Sequence, residues 1–255
     1  FYAPKPECDE ADCNQWFMQF ARRVVAYLVR SGIPECPGGV MASNPQWNQP
    51  EDRWLDTFLG WIKDPSPEPL LMASIFFDFR PIYSGTNFPY LLEDQLLKAI
   101  RKSGLFMRFL AKNALINRPP LGLLKGFVVE KSGEHKNKFD LKQRGLTPVV
   151  DAARVLSLSL GIKTQNTLDR LAEINRIGII DNNFHADLRE AYEFLIYLQI
   201  SRHLDALAQG EKPDNFLDPA SLNGLQRKML KESFAIVRRL QDTIEFRFQT
   251  KRVEI

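Results

Sequence analysis

"LLMASIFFDFRPIYSG", residues 70–85, sets one carboxylate, Asp78, inside an apolar run and follows it two places later with Arg80. Ile75, Phe76 and Phe77 show no apolar–polar alternation, which predicts a strand over 70–80 covered on both faces. A carboxylate there has two readings. In one, Asp78 pairs with Arg80 on the same side of the strand and closes the strand end. In the other, it faces a cleft and holds a metal ion.

Outward from this run the pattern is mostly helical. Trp16, Phe20, Val24, Tyr27 and Leu28 recur at helical spacing between Gln15 and Arg30, and Gly32 and Pro34 end that helix. "CPGGVMASNP", residues 36–45, is a loop with adjacent glycines at 38 and 39. Glu51–Lys63 is a second helix, and "DPSPEP" breaks the chain before residue 70. Leu91–Asn117 reads as helix broken near Ser103–Gly104. "GFVVE" and "KFDLK" flank a polar tract and predict a β-hairpin near 126–142. Helices are then expected over 150–160, 165–176, 181–209 and 218–248, the last two long and amphipathic. Short connections between such helices predict an antiparallel bundle. The expected class is α+β, predominantly α, with an α/β portion over 1–88 and a helical portion over 89–255.

Bulk properties narrow the function. At 255 residues the chain holds one large domain or two ordinary ones. A net charge of +3 gives no whole-chain electrostatic case for DNA. No uninterrupted apolar run reaches the roughly 18 residues a membrane span needs. The opening "FYAPKPECDEADC" is acidic and lacks the apolar core of a signal peptide. Three cysteines, Cys8, Cys13 and Cys36, form no CxxC pair and suggest a reduced, cytoplasmic setting.

"CPGGVMASNP", "SIFFDFRPIYSG", "RPPLG", "EKSGEH", "DLKQRGLTPVVDAARVLSL" and "NTLDRL" occur in this order along nearly the whole chain. Together they resemble a family of bacterial nucleotidyltransferases related to the PII-protein uridylyltransferases. Members of that family often carry a cyclic-nucleotide-binding-like domain and paired CBS domains upstream. The resemblance implies a partial polymerase-β-like α/β unit followed by a helical substrate-binding-like domain. It implies transfer of a nucleoside monophosphate from an NTP to an acceptor such as a protein, with Mg²⁺ or Mn²⁺ held by three carboxylates. Two hard cations neutralise the attacking and leaving oxygens of such a displacement, and carboxylates suit them.

By the resemblance Asp78 is the third of those acids, both catalytic and metal-binding. The first two would sit on a strand as Asp-x-Asp after a Gly-Ser turn, and these residues contain no such motif. The chain is therefore expected to resemble a piece beginning inside the transferase domain and to transfer no nucleotide alone. "CDEADC", residues 8–13, reads as a solvated helix start.

A second candidate cluster follows the hairpin. Lys142 and Arg144 flank a turn at Gly145, and Asp151 and Arg154 share a helix face three residues apart. Basic groups beside a helix start suit a triphosphate or an acceptor. A surface ion pair explains Asp151 and Arg154 equally. Arg80 and the Gly38–Gly39 turn are further candidates for approach to a nucleotide, although a tight turn alone explains the glycines. Asn166 or Thr167 reads as a helix cap with Arg170 one turn on. His135, His185 and His203 lie too far apart for a metal pair. Two other functional classes compete: a nucleotide-sensing regulatory module without catalysis, and a helical module that dimerises or docks a partner.

Overall fold

The computed structural model describes residues 2–3, 9–122 and 126–253. The first helix, α1 (Glu10–Arg30), is capped by the Asp9 carboxylate, which accepts from the Ala11 N–H at 2.8 Å. Acids in its first turn and Arg30 in its last suit the helix dipole. Only Cys13 and Ala21 of α1 are buried, and Trp16, Phe20 and Tyr27 are exposed. Cys13 is disulfide-bonded, a departure from the reduced state expected of the cysteines, whereas Cys36 is a free, exposed thiol. The helix α2 (Glu51–Lys63) has the predicted bounds and buries Trp54, Phe58 and Ile62 on one face.

The stretch expected as a central strand is a helix. α3 spans Pro67–Phe76, with Ser66 at its N-cap and Pro67 in its first turn, where proline's missing N–H costs nothing. Leu70, Ala73 and Phe77 are its buried residues and C-cap, spaced three and four apart, the period of one helix face. The lack of alternation that suggested a doubly covered strand is also what a largely apolar helix shows, and the prolines at 67 and 69 sit in its first turn, where they suit a helix start. With α3 helical, the only β-type contact over residues 1–88, among those described, is the isolated bridge Tyr2–Pro50.

Downstream, α4 (Phe88–Lys102) and α5 (Gly104–Ala114) meet at the predicted break, where the Ser103 hydroxyl accepts from the Phe106 N–H. The chain then reverses between residues 130 and 138, closed by Glu130 N–H to Lys138 O at 2.8 Å and Asn137 N–H to Glu130 O at 2.9 Å. The following strand, β1 (Phe139–Asp140), pairs antiparallel with β2 (Phe216–Leu217), so the small β element ties the hairpin region to the distant end of the bundle. A π-helical turn over Lys142–Leu146 leads directly into α6 (Thr147–Leu160), in place of the simple turn expected at Gly145. α7 (Thr167–Arg176), α8 (Asn182–Ala208) and α9 (Gly224–Phe248) complete the bundle.

α6 is its axis. It packs against α4, α5, α7 and α9, and Val149, Ala152, Val155, Leu156 and Leu158 are all buried. A helix apolar on most sides belongs at the centre of a bundle. The long helices α8 and α9 run antiparallel, with Arg239 lying 3.9 Å over the Phe184 ring near the start of α8. One core runs from Trp54 on α2 to Ile244 on α9. None of the described helices is long and apolar enough to cross a membrane.

Candidate functional site

Asp78 sits two residues past the end of α3, in a turn whose Phe79 N–H bonds back to Phe76 O. Its carboxylate turns away from Arg80 and receives two guanidinium groups from the bundle. Arg154 Nε of α6 donates to Asp78 Oδ2 at 2.9 Å, and Arg154 Nη1 donates to Asp151 Oδ1 at 2.7 Å. Arg170 of α7 grips the same carboxylate in a fork, Nη1 to Oδ2 at 3.0 Å and Nη2 to Oδ1. Arg170 Nε also donates to Thr164 O at 2.6 Å. The Arg170 side chain is only 3% exposed, against 17% for Asp78. Such bidentate, charge-assisted contacts fix direction as well as distance.

The sequence positions each member locally. Asn166 caps α7, accepting from the Leu168 N–H at 2.9 Å and the Asp169 N–H at 3.3 Å, as expected from "NTLDRL". That start fixes Arg170, Leu171 and Ile174 on the inward face. Gln165 Nε2 donates to Phe79 O, a second tie between the α7 approach and the turn carrying Asp78.

The environment splits the two acids. Burial pushes the Asp78 carboxyl upward, but the hydrogen bonds and charges of Arg170 and Arg154 outweigh it and hold it below the usual carboxylate range. Burial pushes Asp151 up, and Arg154 offsets this only in part, with the nearby Asp78 charge adding to the rise.

The remaining candidates lie apart from this group. Lys142 is exposed in the π-helical turn, and Arg144 Nε donates to Arg118 O at 3.2 Å. Ten residues of helix separate Arg144 from Arg154, about 15 Å of rise. Lys142 and Arg144 therefore stand well away from the Asp78 carboxylate. Arg80 is exposed and makes no ion pair among the described residues. It lines a cleft of about 400 Å³ with Tyr90, Glu93, Lys163 and Asp169. Gly38 and Gly39 form a tight turn: Gly39 has φ +66°, its N–H bonds Cys36 O, and its own carbonyl accepts from the Asn44 amide.

A two-metal carboxylate set does not fit these residues. Both Asp78 oxygens are occupied by guanidinium donors, and no group of three or more His, Cys, Asp or Glu side chains converges among the described residues. Sequence reasoning missed Arg170 as a partner of Asp78. The signal was its placement on the apolar side of α7, where an arginine needs a buried anion.

Comparison with known families places this architecture. Residues 104–248, more than half of the chain, match a family described as "Putative nucleotidyltransferase substrate binding domain". The chain belongs to that nucleotidyltransferase family. Residues 5–68 match a second model, described as "Putative nucleotidyltransferase DUF294". The first stretch contains Lys142, Arg144, Asp151, Arg154 and Arg170, the second contains Gly38 and Gly39, and Asp78 falls between them. No curated protein and no solved structure matches the chain.

Proposed function

We propose that the chain holds the substrate end of a PII-uridylyltransferase-like enzyme that moves a nucleoside monophosphate from an NTP to a protein acceptor. The observation that carries this reading is the match of the bundle, residues 104–248, to a substrate-binding family. In this reading Asp78 is a positioning residue. It anchors α6 and α7 through Arg154 and Arg170, and fixes the 163–166 segment through Arg170 and Thr164. Lys142 and Arg144, at the π-helical entry to α6, supply cations for phosphate oxygens, since π-turns often mark functional sites. Mg²⁺ or Mn²⁺ would be held by carboxylates other than the set described here, because the Asp78 oxygens are already committed.

The test uses the full-length protein with each of the four α-labelled NTPs, Mg²⁺ or Mn²⁺, and a cell extract. One NTP is expected to label a protein acceptor. Lys142→Ala with Arg144→Ala should lower transfer about tenfold or more, one phosphate contact being worth about 1.5–3 kcal/mol, while Tm falls by no more than about 2–4 °C from the lost Arg144–Arg118 hydrogen bond. Tight NTP binding without transfer would turn the assignment to the sensing module. Failure of every NTP to bind would refute both.

A further inference from the structure

A groove of about 280 Å³ runs between α8 and α9. Its floor is apolar: Phe194 from α8, and Leu225, Met229 and Ile236 from α9. Leu225 is 68% exposed and Met229 42%, high values for large apolar side chains on adjacent turns of one helix face. The rim is acidic. Asp187 and Glu190 border it on α8 and Glu232 on α9, all exposed, with Lys228 the one basic residue lining it. None of the three carboxylates makes an ion pair or a hydrogen bond among the described residues. The groove therefore carries a local negative charge on a chain whose net charge is +3.

The dimensions select the shape of an occupant. Leu225, Met229, Glu232 and Ile236 stand at i, i+4, i+7 and i+11 along α9, a span of about 16 Å, or three helical turns. An apolar floor with exposed methionine adapts to a helix laid along it. Unpaired carboxylates along the rim favour cations beside that helix's apolar stripe. We propose that the α8–α9 groove docks a basic amphipathic helix of a partner protein, about three turns long, with Lys or Arg flanking its apolar face. This holds whether or not the enzyme transfers nucleotides.

Fluorescence anisotropy with labelled 15-residue peptides tests it on the intact protein. The probes are a Leu–Lys peptide with leucines at i, i+3, i+4 and i+7, the same composition scrambled, and a Leu–Glu peptide with the first pattern. The Leu–Lys peptide should bind at least tenfold more tightly than either control. The double reversal Glu190→Lys with Glu232→Lys should weaken it at least tenfold and improve the Leu–Glu peptide. Both substituted positions are exposed, and a melt checks that the variant is folded. Leu225→Ser, which trims the floor and leaves the charge, should weaken the Leu–Lys peptide severalfold. Equal binding of the scrambled peptide, no binding of the Leu–Lys peptide, or unchanged affinity in the charge-reversed variant would overturn the proposal.

Discussion

Asp78 and Asp151 share Arg154 yet are displaced in opposite directions, and that difference is measurable. Asp78 has a folded pKa held below its unfolded value, so its contribution is present at neutral pH and fades as pH falls through the folded value. Asp151 has a raised folded pKa, so its ionised form costs stability at neutral pH, and that cost disappears below the unfolded value. Asp78→Asn should therefore lower stability at pH 7 by about 3 kcal/mol, because it strands the buried Arg170 charge. For a chain of this size that is a Tm fall of about 6–12 °C. Asp151→Asn should leave Tm at pH 7 unchanged or raise it. Both differences should shrink as the melts are moved from pH 7 toward pH 3. A neutral Asp78→Asn would restore the reading of Asp78 as a carboxylate kept for a ligand. At this scale the sequence was partly legible. The polar group in an apolar run was visible, but the obvious partner, Arg80, was not the real one. Arg154 and Arg170 lie 76 and 92 positions away, and no local pattern encodes a contact at that separation.

Elements were more legible than contacts, and the failure at α3 has a physical cause. The helices α2, α6, α7 and α8 follow from apolar residues at helical period and from the Asn166 cap, whereas α9 begins at Gly224 behind an Asn223 cap, six residues after the expected start at 218, because Pro219–Ser221 forms a separate short turn. α3 is ten residues long, and its apolar content leaves no polar face to reveal the period. A helix and a buried strand then look alike. The π-helical turn was invisible for a different reason. It coincides with a tight site at Gly145, where an added Cβ would stand 3.3 Å from Leu141 Cδ1, 3.3 Å from Phe234 Cε1 and 3.4 Å from Leu195 Cδ2, the last two on distant helices that no local pattern announces. All three neighbours are buried, so they have little room to give. Gly145→Ala should destabilise by about 1–2 kcal/mol after its gain in helix propensity is counted. Gly60, exposed in the last turn of α2 with nothing near a new Cβ, provides the opposite case. Gly60→Ala should stabilise by about 0.5–1 kcal/mol. Chemical denaturation of the two variants gives both signs. A stabilising Gly145→Ala would mean that the α6, α8 and α9 junction is looser than the packing indicates.

On the scale of the molecule, the sequence suggested a division near residue 88, and the two family matches, 5–68 and 104–248, leave a gap in the same region. The segment around it is open: Ile82 is 95% exposed and Tyr83 92%. The packing on either side nevertheless crosses the gap. α2 lies against α4, and α3 lies against α5. The Phe77 ring stands 5.2 Å from Phe58 and 5.8 Å from Phe106, so one aromatic cluster contains residues from both sides. The Asp78–Arg170 fork adds a charged tie between the end of α3 and α7. A covalent break in the loop should therefore leave the molecule in one piece. A specific protease site inserted between Tyr83 and Ser84 should be cleaved readily, because exposed loop tips accept both insertion and cutting. The two pieces should then co-elute in gel filtration under native conditions and separate in 6 M guanidinium, about the concentration that unfolds even stable domains. The nicked protein should melt in a single transition below that of the intact chain, since cutting the loop adds the entropy of a free association. Asp78→Asn in the nicked protein should loosen the pair further, shifting elution toward the separate pieces at low concentration. Two pieces, 1–83 and 84–255, that part under native conditions, each with its own melt, would show instead that the two sides of the loop are independent folding units joined by a linker.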